Sequence, residues 1–274
     1  MSASEVLTKH DFEFIQGLVY QQTGIVIGDH KREMIYRRLS RRMRDLNLQK
    51  VTDYCDLLRA ESAGEMVNFI NAVTTNLTSF FRENHHFEFL ENEFFPEFIR
   101  SGKRRLRIWS SACSTGEEPY TLAMTMAKCL DSKLKSIDAK ILATDLDTQV
   151  IATARQGHYD SSRLKDLSSA IRSAWFDTVP GSDHYQVKER LKQLITFNKL
   201  NLLGGWPMKG KFDVIFCRNV LIYFDKPTQE SLVKRFYDVL QPGGCLMLGH
   251  SESILKGSRD FVHIGKTIYQ RQWS

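Results

Sequence analysis

Arg82 is a side chain whose setting suggests chemistry, because its guanidinium lies among the aromatic residues of segment 80–87. Taking an arginine out of water is costly without a partner, so Arg82 either extends to solvent or meets a carboxylate. Asp145, and the pair Arg218 and Asn219, lie in or at the end of apolar runs typical of strands. At the carboxyl ends of parallel strands, such groups border the crevice where α/β folds bind nucleotide-like ligands.

The loop at 110–116 joins a predicted strand at 106–109 to a predicted helix at 119–130. Ser114 and Glu117 have the spacing of a capping box for this helix. A dinucleotide fingerprint needs three glycines and this loop offers one, so NAD is disfavoured. A ligand without phosphates, such as S-adenosylmethionine, fits better. Taken alone, the loop is better explained as a capped helix after a buried strand, with no ligand.

A second predicted strand at 140–147 ends in acidic residues, among them Asp145, at the position where nucleoside-binding sheets hold the ribose hydroxyls. We therefore predict a ribose contact for Asp145. The alternative, in which Asp145 or Asp147 only caps a helix at 148–155, has equal weight when these residues are taken alone.

The chain has 274 residues, 42% of them hydrophobic and 26% charged, which is a globular balance that favours two domains. Its five cysteines include no C-x-x-C pair, so we expect neither a disulfide framework nor a metal site. No apolar run approaches the roughly 18 residues of a membrane span, and residues 1–5 have no feature of a signal peptide. We therefore expect a cytoplasmic protein with no direct membrane insertion.

Basic residues are concentrated in one helix, although the net charge is only +6. Residues 31–45 contain seven Lys or Arg against two Asp or Glu. The helical period places Arg37, Arg41 and Arg44 opposite the apolar face. A solvated face is the simplest explanation, and an acidic partner, either protein or phosphate, is the second.

The remaining pattern predicts helices first and then alternating strands and helices. The predicted helices of the N-terminal part are 8–22, 31–46, 51–58 and 64–73. Further strands are predicted at 195–203, 212–224, 245–249, 261–264 and 267–270, with a helix at 227–240 and a turn at 241–244. An insertion with a helix at 168–175 and a short hairpin around the turn at 180–183 interrupts the alternation.

With these residues assembled, the sequence resembles the CheR family of chemotaxis receptor methyltransferases over nearly its whole length. The resemblance rests on NLTSFFRE at 76–83, STGEEPY at 114–120, ATD at 143–145, NLL at 201–203, CRNVLIYF at 217–224 and GHSE at 249–252. It implies an α/β fold with a class I (Rossmann-like) methyltransferase domain. The implied segments are an all-helical substrate-docking domain at 1–75, a linker at 76–88, and the methyltransferase domain at 89–274 with a small antiparallel β subdomain at about 158–193.

The resemblance also implies the site. S-adenosylmethionine, with S-adenosylhomocysteine as its product, would contact Asn76, Thr78, Arg82, Ala112, Glu117, Asp145, Asn201, Leu202, Arg218 and Asn219. Arg82 and Tyr223 would be the catalytic pair nearest the transferred methyl. The substrate would be a glutamate in the cytoplasmic helices of a methyl-accepting chemotaxis receptor, docked on Arg37, Arg38, Arg41 and Arg44.

The chemistry agrees with such a site. A glutamate has a pKa of about 4.3, so its carboxylate is ionised at neutral pH and needs no general base to attack a methyl group. Alignment by an arginine and a tyrosine would suffice. His85, His86 and His250 are therefore better explained by structural roles.

Three further expectations concern partners. The resemblance implies that members which bind a receptor C-terminal pentapeptide have a longer glycine-containing loop in the β subdomain. The stretch 176–187 is comparatively short and contains one glycine, Gly181, so we expect no requirement for that peptide. Residues 31–45 contain one aromatic, Tyr36, which disfavours nucleic acid and hence an RNA methyltransferase. We expect a monomer. A non-catalytic S-adenosylmethionine-binding signalling module remains the other class of function.

Overall fold

The computed structural model describes residues 7–60, 63–254 and 260–272. The described chain begins with four helices: α1 (Lys9–Thr23), α2 (Arg32–Asp45), α3 (Val51–Arg59) and α4 (Ala63–Val73). Thr8 caps α1 by accepting from the Asp11 N–H, and Gly24 ends it in the left-handed conformation, with φ 73°. Fully buried side chains such as Ile15, Leu39 and Phe69 share one core between these helices. The four predicted N-terminal helices are confirmed.

A helical segment leads from the irregular linker into the sheet. It consists of α5 (His85–Phe89), a π-helical turn (Leu90–Phe94) and α6 (Phe95–Arg100). Its aromatic side chains pack into the same core as β1 (Arg105–Ser110) and α7 (Glu117–Leu130).

Seven strands form the main sheet. Besides β1, these are β2 (Asp138–Asp145), β6 (Ile195–Lys199), β7 (Phe212–Cys217), β8 (Leu240–Leu248), β9 (Phe261–Gly265) and β10 (Ile268–Arg271). Their order across the sheet is β6-β2-β1-β7-β8-β10-β9. Strand β10 is antiparallel to both of its neighbours, and the pairs from β6 to β8 are parallel. Neighbouring strand residues such as Phe216 and Cys217 belong to different cores, so both faces of the sheet are covered.

Helices α8 (Thr148–Gln156) and α11 (Lys226–Val239) continue the alternation, and a small second sheet interrupts it. This sheet contains β3 (His158–Asp160), β4 (Phe176–Thr178) and β5 (His184–Val187), which pair antiparallel in the order β3-β5-β4. Helices α9 (Ser169–Trp175) and α10 (Glu189–Lys192) accompany it. The predicted inserted hairpin is confirmed as β4 and β5.

The predicted capping box at α7 is wrong. The residue before this helix is Gly116, with φ 100° and no side-chain cap, and the Ser114 hydroxyl instead donates to the Asn76 carbonyl at 2.9 Å. A Cβ on Gly116 would lie 2.9 Å from the Ala154 Cβ, so close packing against α8 requires glycine here.

Three strand boundaries also differ from prediction by more than two residues. The strand predicted at 195–203 ends at Lys199. Residues 241–244 were expected to form a turn, but β8 already pairs with β7 at Leu240, and a register shift accommodates the Pro-Gly-Gly sequence. The run predicted as a strand to residue 224 ends at Cys217 and is followed by a 3₁₀ turn at Leu221–Tyr223. None of the described helices is both long and apolar enough to cross a bilayer.

Candidate active site

A cavity lies at the carboxyl ends of β1, β2 and β7, where the linker and the helical domain cover the edge of the sheet. The helical domain contributes Lys31, Met34 and Ile35 to its wall. The predicted site residues that line it are Asn76, Thr78, Arg82, Ala112, Asp145, Asn201, Leu202, Arg218, Asn219 and Tyr223. The fold therefore brings together side chains that lie up to about 150 residues apart in sequence.

Asp145 is 8% exposed and accepts hydrogen bonds from the backbone N–H groups of Ser114 and Asp147. Burial raises the pKa of Asp145 to about 6, although these two hydrogen bonds act in the opposite direction. The predicted cap of α8 is confirmed for Asp147, which accepts from the N–H groups of Gln149 and Val150, and Asp145 does not cap this helix.

The linker is attached to the same edge of the sheet. Asn76 Nδ2 donates to Asp147 Oδ2 at 2.8 Å, and the Thr74 hydroxyl donates to the same oxygen at 2.8 Å. Asp147 thus caps α8 with one oxygen and holds the linker with the other.

The structure places Glu117 differently from the prediction. Glu117 is fully buried outside the cavity wall, in the first turn of α7, and it lies 2.8 Å from the Arg163 guanidinium of the insertion. Of these two neighbouring glutamates, Glu118 is the one that lines the cavity, where it accepts from the Ser110 hydroxyl at 2.7 Å and from Arg218 Nε at 2.8 Å. Sequence reasoning missed Glu118, although its position next to Glu117 in the same motif could have raised it as an alternative.

The guanidinium of Arg218 is hydrogen-bonded to several groups of the protein. Besides Glu118, its NH1 group donates to the Arg82 carbonyl at 2.6 Å and to His86 Nδ1 at 3.2 Å. The side chain is 3% exposed and lies 5.5 Å from the centroids of the Phe87 and Phe216 rings. Arg218 therefore holds the backbone of Arg82 in place as well as lining the cavity.

Glu252 was not among the predicted site residues, yet it fixes the loop after β7. One carboxylate oxygen accepts from the N–H groups of Val220 (2.7 Å) and Ile222 (3.2 Å), and the other from Asn219 (2.8 Å) and Gly249 (2.6 Å). Asn219 has φ 58° in this loop, an uncommon conformation for a residue other than glycine. The only sequence signal was the GHSE motif of the family resemblance.

Arg82 and Tyr223 face the cavity from opposite segments, the linker and the 3₁₀ turn. Arg82 is half-buried, and its NH1 group donates to the Leu77 carbonyl at 2.8 Å. No carboxylate of the described residues pairs with it, so of the two predicted alternatives the carboxylate partner is not the one observed. The Lys31 ammonium lies 5.7 Å from the centroid of the Tyr223 ring.

The helical domain is bonded directly to the site. Asn201 Nδ2 donates to the Gln22 carbonyl at 2.9 Å, and its Oδ1 accepts from the Leu203 N–H at 3.0 Å. Val26 N–H donates to the Tyr223 carbonyl at 2.8 Å. The side chain of Asn201, predicted to bind the cofactor, therefore also attaches the sheet to α1.

The arginines of α2 divide into two groups. Arg37, Arg41 and Arg44 are exposed, and none of them forms an ion pair within the ranges that the structure describes. Arg38, which was predicted to dock substrate, instead donates to the carbonyls of Val73 and Thr74, both at 2.7 Å. Because these bonds hold the start of the linker, Arg38 is a structural residue, and burial lowers the pKa of its guanidinium.

Glu83, His85 and His86 offer possible ligand atoms within 4.8 Å of one another, which sequence reasoning did not anticipate. His86 is already engaged, since Nδ1 accepts from Arg218 and Nε2 lies 3.1 Å from the Lys266 carbonyl. Burial and the Arg218 charge lower the pKa of His86 to about 3, so its ring is neutral. Its contacts support the structural role predicted for it.

Comparisons with known proteins agree with this architecture. The profile of the CheR methyltransferase all-alpha domain matches residues 10–74, and that of the CheR methyltransferase SAM binding domain matches residues 76–270. The chain is 44% identical over 259 residues to a probable chemotaxis protein methyltransferase of Rhizobium etli, covering 92% of this chain and 96% of that relative. It is 43% identical over 273 residues to the chemotaxis protein methyltransferase of Salmonella typhimurium, covering 98% of this chain and 92% of that relative.

Proposed function

The chain belongs to the CheR methyltransferase family. On that premise we propose which of its residues align the acceptor group and which bind the chemoreceptor. The chain is an S-adenosylmethionine-dependent methyltransferase that converts receptor glutamates to methyl esters. We propose that Arg82 and Tyr223 align the acceptor carboxylate in the cavity and that the exposed arginines of α2 dock the receptor. The observation that carries this proposal is Arg82, a cavity-lining cation without an acidic partner among the described residues.

The residues of the cavity fit S-adenosylmethionine. Asp145 can accept from the ribose hydroxyls, since its oxygens already face N–H donors and retain further acceptor capacity. Ala112, Leu202 and Val220 supply apolar surface beside it. When bound, S-adenosylmethionine supplies an electrophilic methyl group and leaves as S-adenosylhomocysteine.

The role of Arg82 follows from its free donors. One NH group is used by the Leu77 carbonyl, and the rest of the guanidinium can bind a carboxylate. An acceptor glutamate is ionised at neutral pH, so Arg82 orients it without removing a proton. Alignment of this kind can lower a barrier by roughly 7–11 kcal/mol at best.

The exposed arginines of α2 support an acidic receptor helix as the docking partner. Arg37 and Arg41 line a groove beside Asn68 and Asn71 of α4, and Arg44 lies one turn further along α2. We also propose that no tethering peptide is required, because the β4–β5 connection is confined to residues 179–183.

Transfer of labelled methyl groups from S-adenosylmethionine to receptor cytoplasmic fragments tests the proposal. We expect base-labile label with the wild type and about a hundredfold lower kcat for Arg82→Ala, corresponding to about 2.7 kcal/mol. Arg100→Ala is the matched control, since Arg100 is exposed and its ion pair among the described residues is with Glu97 of its own helix. Intact cofactor binding without transfer to any receptor would instead support a binding module.

A further inference from the structure

Two exposed apolar side chains stand at the entrance of the cavity. Leu77 is 76% exposed and Ile222 is 49% exposed, and both line the cavity. Because a side chain that lines a cavity and is also open to solvent must lie at its mouth, we call Leu77 and Ile222 the apolar rim. Large apolar side chains in this position suggest a surface that a partner covers.

Each residue of the rim is attached to one of the two proposed catalytic residues. The Leu77 carbonyl accepts from Arg82 NH1 at 2.8 Å. Ile222 directly precedes Tyr223, and its N–H donates to the buried Glu252 carboxylate at 3.2 Å. The rim is therefore fixed relative to the groups that align the acceptor carboxylate.

A glutamate side chain is short, so the helix that carries the acceptor glutamate must lie close to the apolar rim. For the carboxylate to reach Arg82, the backbone that carries it must lie at the cavity mouth. Residues three and four positions before or after that glutamate lie on the same face of the helix, so they point towards the cavity mouth where Leu77 and Ile222 lie. A charged residue there would lose its hydration without gaining a partner, whereas an apolar residue would not.

Charge complementarity identifies the same occupant. Lys31 lines the cavity, and Arg37, Arg41 and Arg44 are exposed on α2. A helix that fits this surface carries apolar residues beside the acceptor glutamate and acidic residues beyond them. Resting on the proposed function, we propose that the apolar rim selects acceptor glutamates that have apolar neighbours three or four positions away.

A double variant, Leu77→Ser with Ile222→Ser, tests the rim in the full-length enzyme. We expect the KM for a receptor fragment to rise about tenfold, while kcat falls less than threefold and cofactor affinity is unchanged. The matched control is Val262→Ser with Ile264→Ser, two side chains of β9 that are 44% and 41% exposed and lie outside this cavity. We expect its KM to remain at the wild-type value.

A change in the substrate completes the test. In a receptor fragment with a methylated glutamate, the apolar residues at positions i+3 and i+4 are changed to aspartate. The wild-type enzyme should lose about tenfold in kcat/KM, and the rim variant should lose much less. Equal losses for both enzymes, or an unchanged KM for the rim variant, would overturn the inference. Absence of label with the wild type on any fragment would overturn the proposed function instead, and this inference with it.

Discussion

The buried arginine of the cavity and the exposed arginines of α2 are held in opposite ways. Arg218 meets Glu118, the Arg82 carbonyl and His86 within 3.2 Å, and its side chain is 3% exposed. Arg37 and Arg41 are exposed, and no ion pair involves them in the described parts of the chain. The first arrangement fixes a geometry permanently, whereas the second leaves charge available for a transient partner. The difference separates residues that build the site from residues that we propose to recognise the substrate.

The largest expected effect comes from removing the buried cation. Arg218→Met leaves the Glu118 carboxylate, which is 9% exposed, without its ion pair. We expect the free energy of unfolding to fall by about 3–5 kcal/mol, since breaking a buried pair leaves an uncompensated charge. Urea unfolding measures this.

Two variants make that measurement decisive. Arg218→Met with Glu118→Gln should recover part of the loss, because no buried charge remains. Arg41→Met should change the unfolding free energy by less than about 0.5 kcal/mol, as exposed substitutions usually do. Equal destabilisation by Arg218→Met and Arg41→Met would remove the distinction between the two groups.

Glu252 adds to the comparison a buried carboxylate that accepts hydrogen bonds from backbone N–H groups. Glu252→Gln replaces an accepting oxygen with an amide that presents donors to N–H groups of the loop. We expect about a hundredfold loss in kcat/KM, because Asn219 and Tyr223 lose their fixed positions. Steady-state kinetics with Glu230→Gln, an exposed glutamate of α11, as control would show it. Wild-type kinetics for Glu252→Gln would contradict this positioning role.

The sequence predicted the elements better than it predicted the partners of the side chains. The helices and most strands followed from local patterns, such as the helical period of α1 and the continuous apolar run of β7. Glu252 could not be assigned in that way, because its four acceptor bonds reach residues about 30 positions earlier as well as Gly249. Asn201 was predicted as a cofactor ligand, but its bond to Gln22 depends on how two domains pack.

The choice between Glu117 and Glu118 illustrates the same limit. Both are adjacent in one motif, and only the direction of α7 decides which carboxylate faces Arg218 and which faces Arg163. The predicted capping box failed for a related reason. Ser114 has the right spacing from Glu117, but its hydroxyl instead donates to the Asn76 carbonyl of the linker.

A smaller effect is expected from the exposed arginines. The triple variant Arg37→Ala, Arg41→Ala, Arg44→Ala should raise the KM for receptor about tenfold, as three exposed pairs of 0.2–1 kcal/mol each would predict. Unfolding free energy should not change, and the wild-type KM should rise with salt, which screens exposed charges.

Removing three exposed lysines elsewhere gives the matched control. The variant Lys209→Ala, Lys211→Ala, Lys234→Ala loses the same charge from residues outside α2. If its KM rose as much as that of the arginine triple, net charge rather than a docking face would explain the effect.

The smallest expected effect tests the buried carboxylate of the cavity by pH. Asp145 has a pKa of about 6 in the folded protein against an ordinary value of 3.8, because burial disfavours its ionised form. Ribose hydroxyls donate to the ionised carboxylate, so cofactor affinity should be fully present only well above pH 6 and should weaken as the pH falls through that value. Linkage of one proton predicts about fourfold weaker binding at pH 5.5 than at pH 7.5.

Calorimetric titration with S-adenosylhomocysteine would measure this, and Asp145→Asn should bind more weakly at pH 7.5 but without this pH dependence. The neutral His86, with its pKa of about 3, titrates below this range, so a slope that persisted in Asp145→Asn would have to come from another group and would contradict the ribose assignment.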